Sequence, residues 1–220
     1  MRGTVSQIEI PAGSVRLEGE LSVPPDSKGL VLFAHGSGSS RHSPRNQFVA
    51  GVLQQAGIAT LLFDLLTSAE EAEDEITGHL RFDISLLAQR LVHAARAMDA
   101  DAEVRNLKIG FFGSSTGGGG ALVAAAELGE KISAVVSRGG RPDLAGRALR
   151  EVSAPTLLIV GGDDPVVLQM NEQALRALRC EKALRVVAGA SHLFEEPGTL
   201  DTVAELAAEW FVKHLGKEHP

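Results

Sequence analysis

Ser115, Asp164 and His192 occur in that chain order, and together they are the residue types that nucleophilic acyl transfer needs. A serine hydroxyl is a poor nucleophile at neutral pH and needs an adjacent base. Histidine can be that base, with a carboxylate to fix its tautomer and stabilise its cation. Ser115 sits in Gly113-Ser114-Ser115-Thr116-Gly117, a G-x-S-x-G pattern. That pattern raises a hydroxyl clear of the backbone only where a strand turns sharply into a helix, and glycine is wanted on both sides because the two elements crowd there. The apolar run 108–112 reads as a buried strand and the Ala-rich run 118–128 as a helix, so the context fits. The competing reading is a glycine-rich turn with an incidental serine.

The elements that must position these residues alternate along the chain. Residues 4–10 and Val15–Val23 read as an antiparallel pair of strands joined at Pro11-Ala12-Gly13. Further strands are expected at 29–34, Ala59–Phe63, 107–112, 132–137, 156–160 and 183–187. Helices are expected at Pro44–Gln55, 82–98, 118–128, 166–178 and Thr199–Leu215, while the acidic stretch 68–75 reads as a solvated loop or helix start. Such alternation predicts an α/β fold, a mostly parallel sheet covered by helices on both faces. Ligand sites in such sheets form at the carboxyl ends of the strands. Four strand ends carry chemistry: His35-Gly36-Ser37-Gly38, the Ser115 turn, Gly161-Gly162-Asp163-Asp164-Pro165, and Gly189-Ala190-Ser191-His192.

A glycine-rich loop, then serine, acid and histidine, is the order found in one hydrolase fold. Over residues 15–215 the chain resembles the α/β-hydrolase superfamily, and most closely its small lidless dienelactone hydrolase-like branch. The resemblance implies an eight-stranded, mostly parallel sheet with its first strands antiparallel and no large cap. A single domain over residues 1–220 is expected. Gly161-x-x-Asp164-x-x-Val167 is similar to the family's acid loop, which selects Asp164 over Asp163; Asp163 is left to cap the following helix. His35-Gly36 is similar to the oxyanion loop, with His35 itself structural. The implied roles are Ser115 as nucleophile, His192 as base, Asp164 as its orienter, and the backbone N–H groups of Ser37 and Thr116 as the oxyanion hole. Enzymes named for dienelactone hydrolysis usually carry a cysteine nucleophile; the serine here points instead to ordinary small carboxylic esters. The same triad serves acyltransferases, thioesterases and amidases. A reading of another class is a hydrolase fold used as a non-catalytic binding module.

Other features bound the function further. A net charge of −7 argues against a nucleic-acid footprint. Cys180 is the only cysteine, so no internal disulfide can form. No apolar leader core or membrane-length apolar window is present, and a cytoplasmic location is expected. No cofactor and no metal are expected: His42, His79, His93, His214 and His219 show no metal-ligand spacing. Gly110, Gly113 and Gly117 do not make the dinucleotide-binding G-x-G-x-x-G. The expected partner is a small-molecule ester, and the sequence selects no oligomeric state. Arg41, Arg45, Arg138 and Arg141 all lie just beyond strands; Arg41 and Arg138 are candidates to clamp an anionic group on a substrate, against the alternative that they pin loops. Gly119 and Gly120 have no account at this level.

Overall fold

The computed structural model describes residues 3–216, so His219 lies outside the described residues. In chain order the elements are β1 (Thr4–Ala12), β2 (Val15–Val23), β3 (Leu30–Ala34), α1 (Pro44–Gln55), β4 (Ala59–Phe63), α2 (Ser68–Thr77), α3 (Ile84–Ala100), β5 (Ile109–Ser114), α4 (Thr116–Leu128), β6 (Ile132–Arg138), β7 (Thr156–Gly161), α5 (Pro165–Ala177), β8 (Lys182–Val187) and α6 (Thr199–Leu215). The strands form an eight-stranded sheet in the order β1-β2-β4-β3-β5-β6-β7-β8. β1 and β2 are antiparallel, β2 meets β4 antiparallel, and all pairings from β4 through β8 are parallel.

The central strands β3, β4, β5 and β7 are buried at every position, as expected of strands covered on both faces. One face packs against α3, α4 and α5, with Phe111, Leu91, Leu122 and Ala174 in its core. The other packs against α1 and α6, with Phe33, Phe112, Val49 and Phe211. Each leucine, valine or phenylalanine among them contributes about 1.5–3 kcal/mol when fully buried. β8 is a sheet edge and only Val187 in it is buried, which is why its apolar pattern is weaker.

Helix starts follow local chemistry. Ser43 Oγ accepts from the Asn46 N–H ahead of α1, with Pro44 in the first helical turn. Asp83 caps α3 through the Leu86 N–H at 2.9 Å, so that helix begins at Ile84 and residues 80–82 form a separate 3-10 turn. The acidic stretch is a helix, α2: Thr67 and Glu70 make a reciprocal capping box, and Gly78 closes the other end at φ 67°. Its Asp74 is buried and accepts from the backbone N–H groups of Leu80 and Arg81 and from the Arg81 guanidinium. Burial alone would raise the Asp74 pKa, but these hydrogen bonds outweigh it and hold it below the usual value.

The glycines of α4 are explained by proximity. A Cβ on Gly117 would stand 2.3 Å from the Ala34 carbonyl oxygen, one on Gly119 2.9 Å from the Arg141 carbonyl oxygen, and one on Gly120 3.2 Å from Leu87 Cβ. Helix α4 is thus pressed against the end of β3, the segment Pro142–Arg150 and α3 at once. That segment, two 3-10 turns broken at Gly146, is the helical part of the connection 139–155 from β6 to β7, so no large cap lies there.

Two predictions follow from this packing. Gly117→Ala should lower stability by about 3 kcal/mol or more, since backbone must move to admit the methyl, whereas Gly51→Ala, at an open site in α1, should add about 0.4–1 kcal/mol; urea denaturation measures both. For Asp74 the folded pKa is depressed, so its contribution is fully present above the unfolded value and is lost as pH falls through the folded one. The gap in melting temperature between the parent and Asp74→Asn should therefore be open at pH 7 and narrow on acidification below the ordinary value of 3.8.

Candidate functional site

Five strand ends meet along one edge of the sheet: the loop after β3, the turn after β5, the end of β6, the loop after β7 and the loop after β8. At the second of these ends is Ser115, with φ 51° and ψ −123°. A non-glycine residue in such a region costs on the order of 1–3 kcal/mol and persists only where its surroundings over-determine it. They do so here. The Ser115 N–H donates to the Arg138 carbonyl at 3.3 Å, and the Ser115 carbonyl accepts from the Gly118 and Arg141 N–H groups, each at 3.0 Å. A Cβ on Gly113 would lie 2.6 Å from the Gly117 carbonyl oxygen, which accounts for the first glycine of the pattern. Ser115 occupies the N-cap position of α4 but makes no capping bond, so its hydroxyl is not committed to the helix.

Asp164 and His192 are brought together from the loops after β7 and β8, with Asp164 Oδ2 2.7 Å from His192 Nδ1. The other carboxylate oxygen, Oδ1, accepts from the Val167 N–H at 3.3 Å and caps α5. Asp164 therefore does both jobs, one with each oxygen, and the expectation that Asp163 would cap the helix is corrected. The imidazole lies over the β6 end: a Cβ on Gly139 would be 3.6 Å from His192 Cε1. Because Ser115 is bonded to the backbone of Arg138, the neighbour of Gly139, Ser115 and the imidazole flank the same short stretch. Ser115 and His192 are not hydrogen-bonded to each other in this conformation.

The loop after β3 closes over Ser115 from the other side. A Cβ on Gly36 would meet Ser115 Cβ at 3.0 Å. Ser37 Oγ and Thr116 Oγ1 are 2.9 Å apart, so the two residues proposed to stabilise an oxyanion are neighbours. Thr116 is the first residue of α4, and leading N–H groups of a helix have no carbonyl within it to bond. His35 is buried and structural. Its Nε2 accepts from the Leu65 N–H and its Nδ1 then donates to the Gly36 carbonyl, both at 3.0 Å. Burial keeps its pKa low despite the nearby Asp64 charge, so it remains neutral and ties the β3 loop to the end of β4.

Beside Ser37 and Thr116 opens a cavity of about 260 Å³ walled by Leu65, Leu66, Leu87, Glu71, Glu75 and Arg81. Burial, together with the charges of Asp64 and Glu75, raises the Glu71 pKa. The acidic stretch of the sequence is thus a wall of this cavity, which sequence reasoning missed. A capping Thr three residues before a Glu was the available signal.

The four arginines separate into different roles. Arg41 donates its backbone N–H to Asp64 Oδ1 at 2.7 Å and its guanidinium to Asp64 Oδ2 and Glu18. Its charge is spent pinning the loop, and the expectation that it clamps substrate is corrected accordingly. Arg141 is held bidentately by Asp143 at 2.9 and 2.8 Å, and Arg45 reaches Glu195 at 3.2 Å. Among the described residues Arg138 has no carboxylate partner; it is only 8% exposed, and its guanidinium stands 5.8 Å from the centre of the Phe194 ring. Burial and the Arg45 cation push its pKa down to about 10, which leaves it charged at neutral pH. Phe194, two residues past His192, is itself held at φ 55°. Among the described residues no group of three or more His, Cys, Asp or Glu could hold a metal ion, and no helix is long and apolar enough to cross a membrane.

Comparison with known proteins places this arrangement in a family. The family model "Dienelactone hydrolase family" matches residues 41–215. A solved dienelactone hydrolase from Anabaena variabilis is 58% identical, with a TM-score of 0.96 over 98% of this chain and 100% of that one. The esterase domain of a Rhodothermus marinus protein shares the fold at 20% identity, with a TM-score of 0.76 over 97% of this chain and 100% of that one. Two Mycobacterium tuberculosis proteins, each named "Putative phosphoribosyl transferase", are 54% identical over 209 residues, which is 95% of this chain. The chain matches 46% of the length of those relatives. With the eight-stranded sheet, the strained serine turn and these matches together, the chain belongs to the dienelactone hydrolase family.

Proposed function

We propose that the protein is a serine hydrolase that cleaves small carboxylic esters through Ser115, His192 and Asp164. The observation that carries this reading is the 2.7 Å Asp164–His192 pair set beside a serine whose backbone is held at φ 51°. With Nδ1–H donating to Asp164, the imidazole presents Nε2 as the acceptor for the Ser115 hydroxyl proton. Rotation of the uncommitted serine side chain toward His192 forms that bond as substrate binds; such bonds are commonly loose before it does.

Ser115 Oγ attacks the ester carbonyl carbon as His192 takes the proton. The carbonyl oxygen gains negative charge between the Ser37 and Thr116 N–H groups, at the positive end of α4. Each such donor is worth about 10²–10³ in rate. The tetrahedral intermediate collapses as His192 returns the proton to the leaving alcohol, leaving an acyl-enzyme. Water, deprotonated by the same histidine, then releases the acid. The short β6–β7 connection and a 39% exposed imidazole favour an open site and water as the acceptor. The transferase name of the Mycobacterium relatives belongs to proteins of which this chain matches 46%, while support for a hydrolase lies within the matched part.

Intact-mass analysis after exposure to a small fluorophosphonate should show one adduct, mapping to Ser115. An unlabelled folded protein would overturn the reading in favour of a binding module. Ser115→Ala should lower kcat for p-nitrophenyl butyrate by about 10⁴-fold or more without unfolding. Ser115→Gly should be equally inactive yet more stable by about 1 kcal/mol, because glycine relieves the strained φ. Asp164→Ala should lose activity and also about 1 kcal/mol of stability, since it removes the α5 cap.

A further inference from the structure

Helix α5 carries one residue that its surroundings argue against. Asn171 stands in the middle of the helix and is wholly buried, on the face that also holds Val167 and Ala174. Asparagine disfavours helix interiors, because its side chain competes with the backbone for hydrogen bonds. Its Oδ1 is shielded from solvent and has no hydrogen-bond partner among the described residues, which is unfavourable in a core. An apolar side chain would suit both the helix and its packing. Departures of this kind from local rules are expected where a fold serves a site.

What the amide holds explains its place. Both hydrogens of Nδ2 are used, one on the Val167 carbonyl at 2.8 Å and the other on the Gly140 carbonyl at 3.0 Å. The first bond turns back one turn along α5. The second leaves the helix and reaches residues 139–141, which follow β6. The Gly140 carbonyl shares its peptide plane with the Arg141 N–H, and that N–H donates to the Ser115 carbonyl at 3.0 Å. In a trans peptide the two groups point in opposite directions. One rigid plane is therefore clamped between Asn171 on one side and Ser115 on the other. The peptide N–H of Gly139, just before it, donates to the Ile159 carbonyl of β7 at 2.7 Å, and the His192 ring rests against Gly139. Ser115 and His192 thus share residues 139–141 as their common support.

At its other end the amide is tied to the acid. Asp164 is the N-cap of α5, and its Oδ1 accepts from the N–H of Val167, the residue whose carbonyl Asn171 holds. Asp164 Oδ2 meets His192 Nδ1. Asn171 is a side chain that bridges directly from the helix of Asp164 to the support of Ser115 and His192.

We infer that Asn171 is a positioning residue. It fixes the start of α5 against residues 139–141, and so sets where Asp164 stands relative to His192 and Ser115. It acts through these residues and touches no substrate. Its effect on rate rests on the ester-hydrolase reading; the bridge itself rests on the geometry.

The test begins with Asn171→Leu, which keeps the volume and removes the bridge. The kcat for p-nitrophenyl butyrate should fall at least tenfold, with KM within about twofold of the parent value. In an Asp164→Ala background no acid remains to be placed, and the same substitution should change kcat by less than about twofold. A merely structural asparagine would lower kcat by the same factor in both backgrounds. That result, or an undiminished kcat in Asn171→Leu, overturns the inference. Should Asn171→Leu fail to fold, Asn171→Ser serves instead: a hydroxyl still turns back to the Val167 carbonyl, but its shorter reach ends before Gly140. The same fall, again confined to the parent background, is expected, and no fall overturns the inference. Proton NMR reads the bridge without turnover, through the low-field resonance of His192 Nδ1–H that His192→Gln abolishes. The Asn171 variant should shift or broaden this resonance, and an unmoved resonance overturns the inference. If the resonance responds to Asn171 in this way but the parent hydrolyses no ester, the hydrolase reading fails and the positioning role stands.

Discussion

The backbone of Ser115 occupies a region that side chains avoid, and its neighbours leave it no other choice. Its N–H is claimed by the end of β6, and its carbonyl by the start of α4 and by Arg141. These bonds come from three directions, so the turn cannot relax without unpairing the sheet or the helix. Around it the chain has been stripped of side chains. Gly113, Gly117 and Gly36 let β5, α4 and the β3 loop pack backbone against backbone. A helix whose first four residues after Thr116 are all glycine is intrinsically poor, by about 1 kcal/mol per glycine against alanine. Burial of α4 between the sheet, α3 and the β6–β7 segment offsets that weakness.

The sequence announced this turn because its requirements are local. G-x-S-x-G between an apolar run and an alanine-rich run leaves few other structures possible, and the alternation of elements gave the sheet. The antiparallel start and the eight strands were legible for the same reason. Legibility failed where geometry depends on partners distant in the chain. Gly119 and Gly120 made sense only once Arg141, Leu144 and Leu87 were seen against them. Asp163 and Asp164 were separable as pairing partner of His192, yet the double use of Asp164 depends on the angle at which α5 leaves the loop. Arg41 and Arg138 look alike on paper. One lies against Asp64 and Glu18, residues from β2 and the end of β4, and the other against none. The stretch 68–75 read as solvated because its charges dominate; its capping box and one buried aspartate make it a wall.

Charge around the site is arranged by sector rather than by pairs. Acidic groups are gathered where α2 lines the cavity, with Arg81 and Asp74 bonded to each other at its rim. Two arginines, Arg138 and the Glu195-bonded Arg45, lie near each other between β6 and α1. His35, the buried imidazole between these sectors, is kept neutral by desolvation and adds no charge to either.

The hydrogen bond from Arg141 to the Ser115 carbonyl has a consequence for how this scaffold can grow. Residues 139–141 form a short tether between a sheet strand and Ser115. Extra chain inserted within that tether would slacken the grip on Ser115 and cost the turn its shape. Beyond Arg141 the path runs through 3-10 turns broken at the exposed Gly146, where φ is 52° and a side chain would meet no neighbour. A grafted domain or a longer covering loop is therefore admissible around Gly146 and inadmissible a few residues earlier. Modularity in this fold has a sharp address, set by one backbone amide.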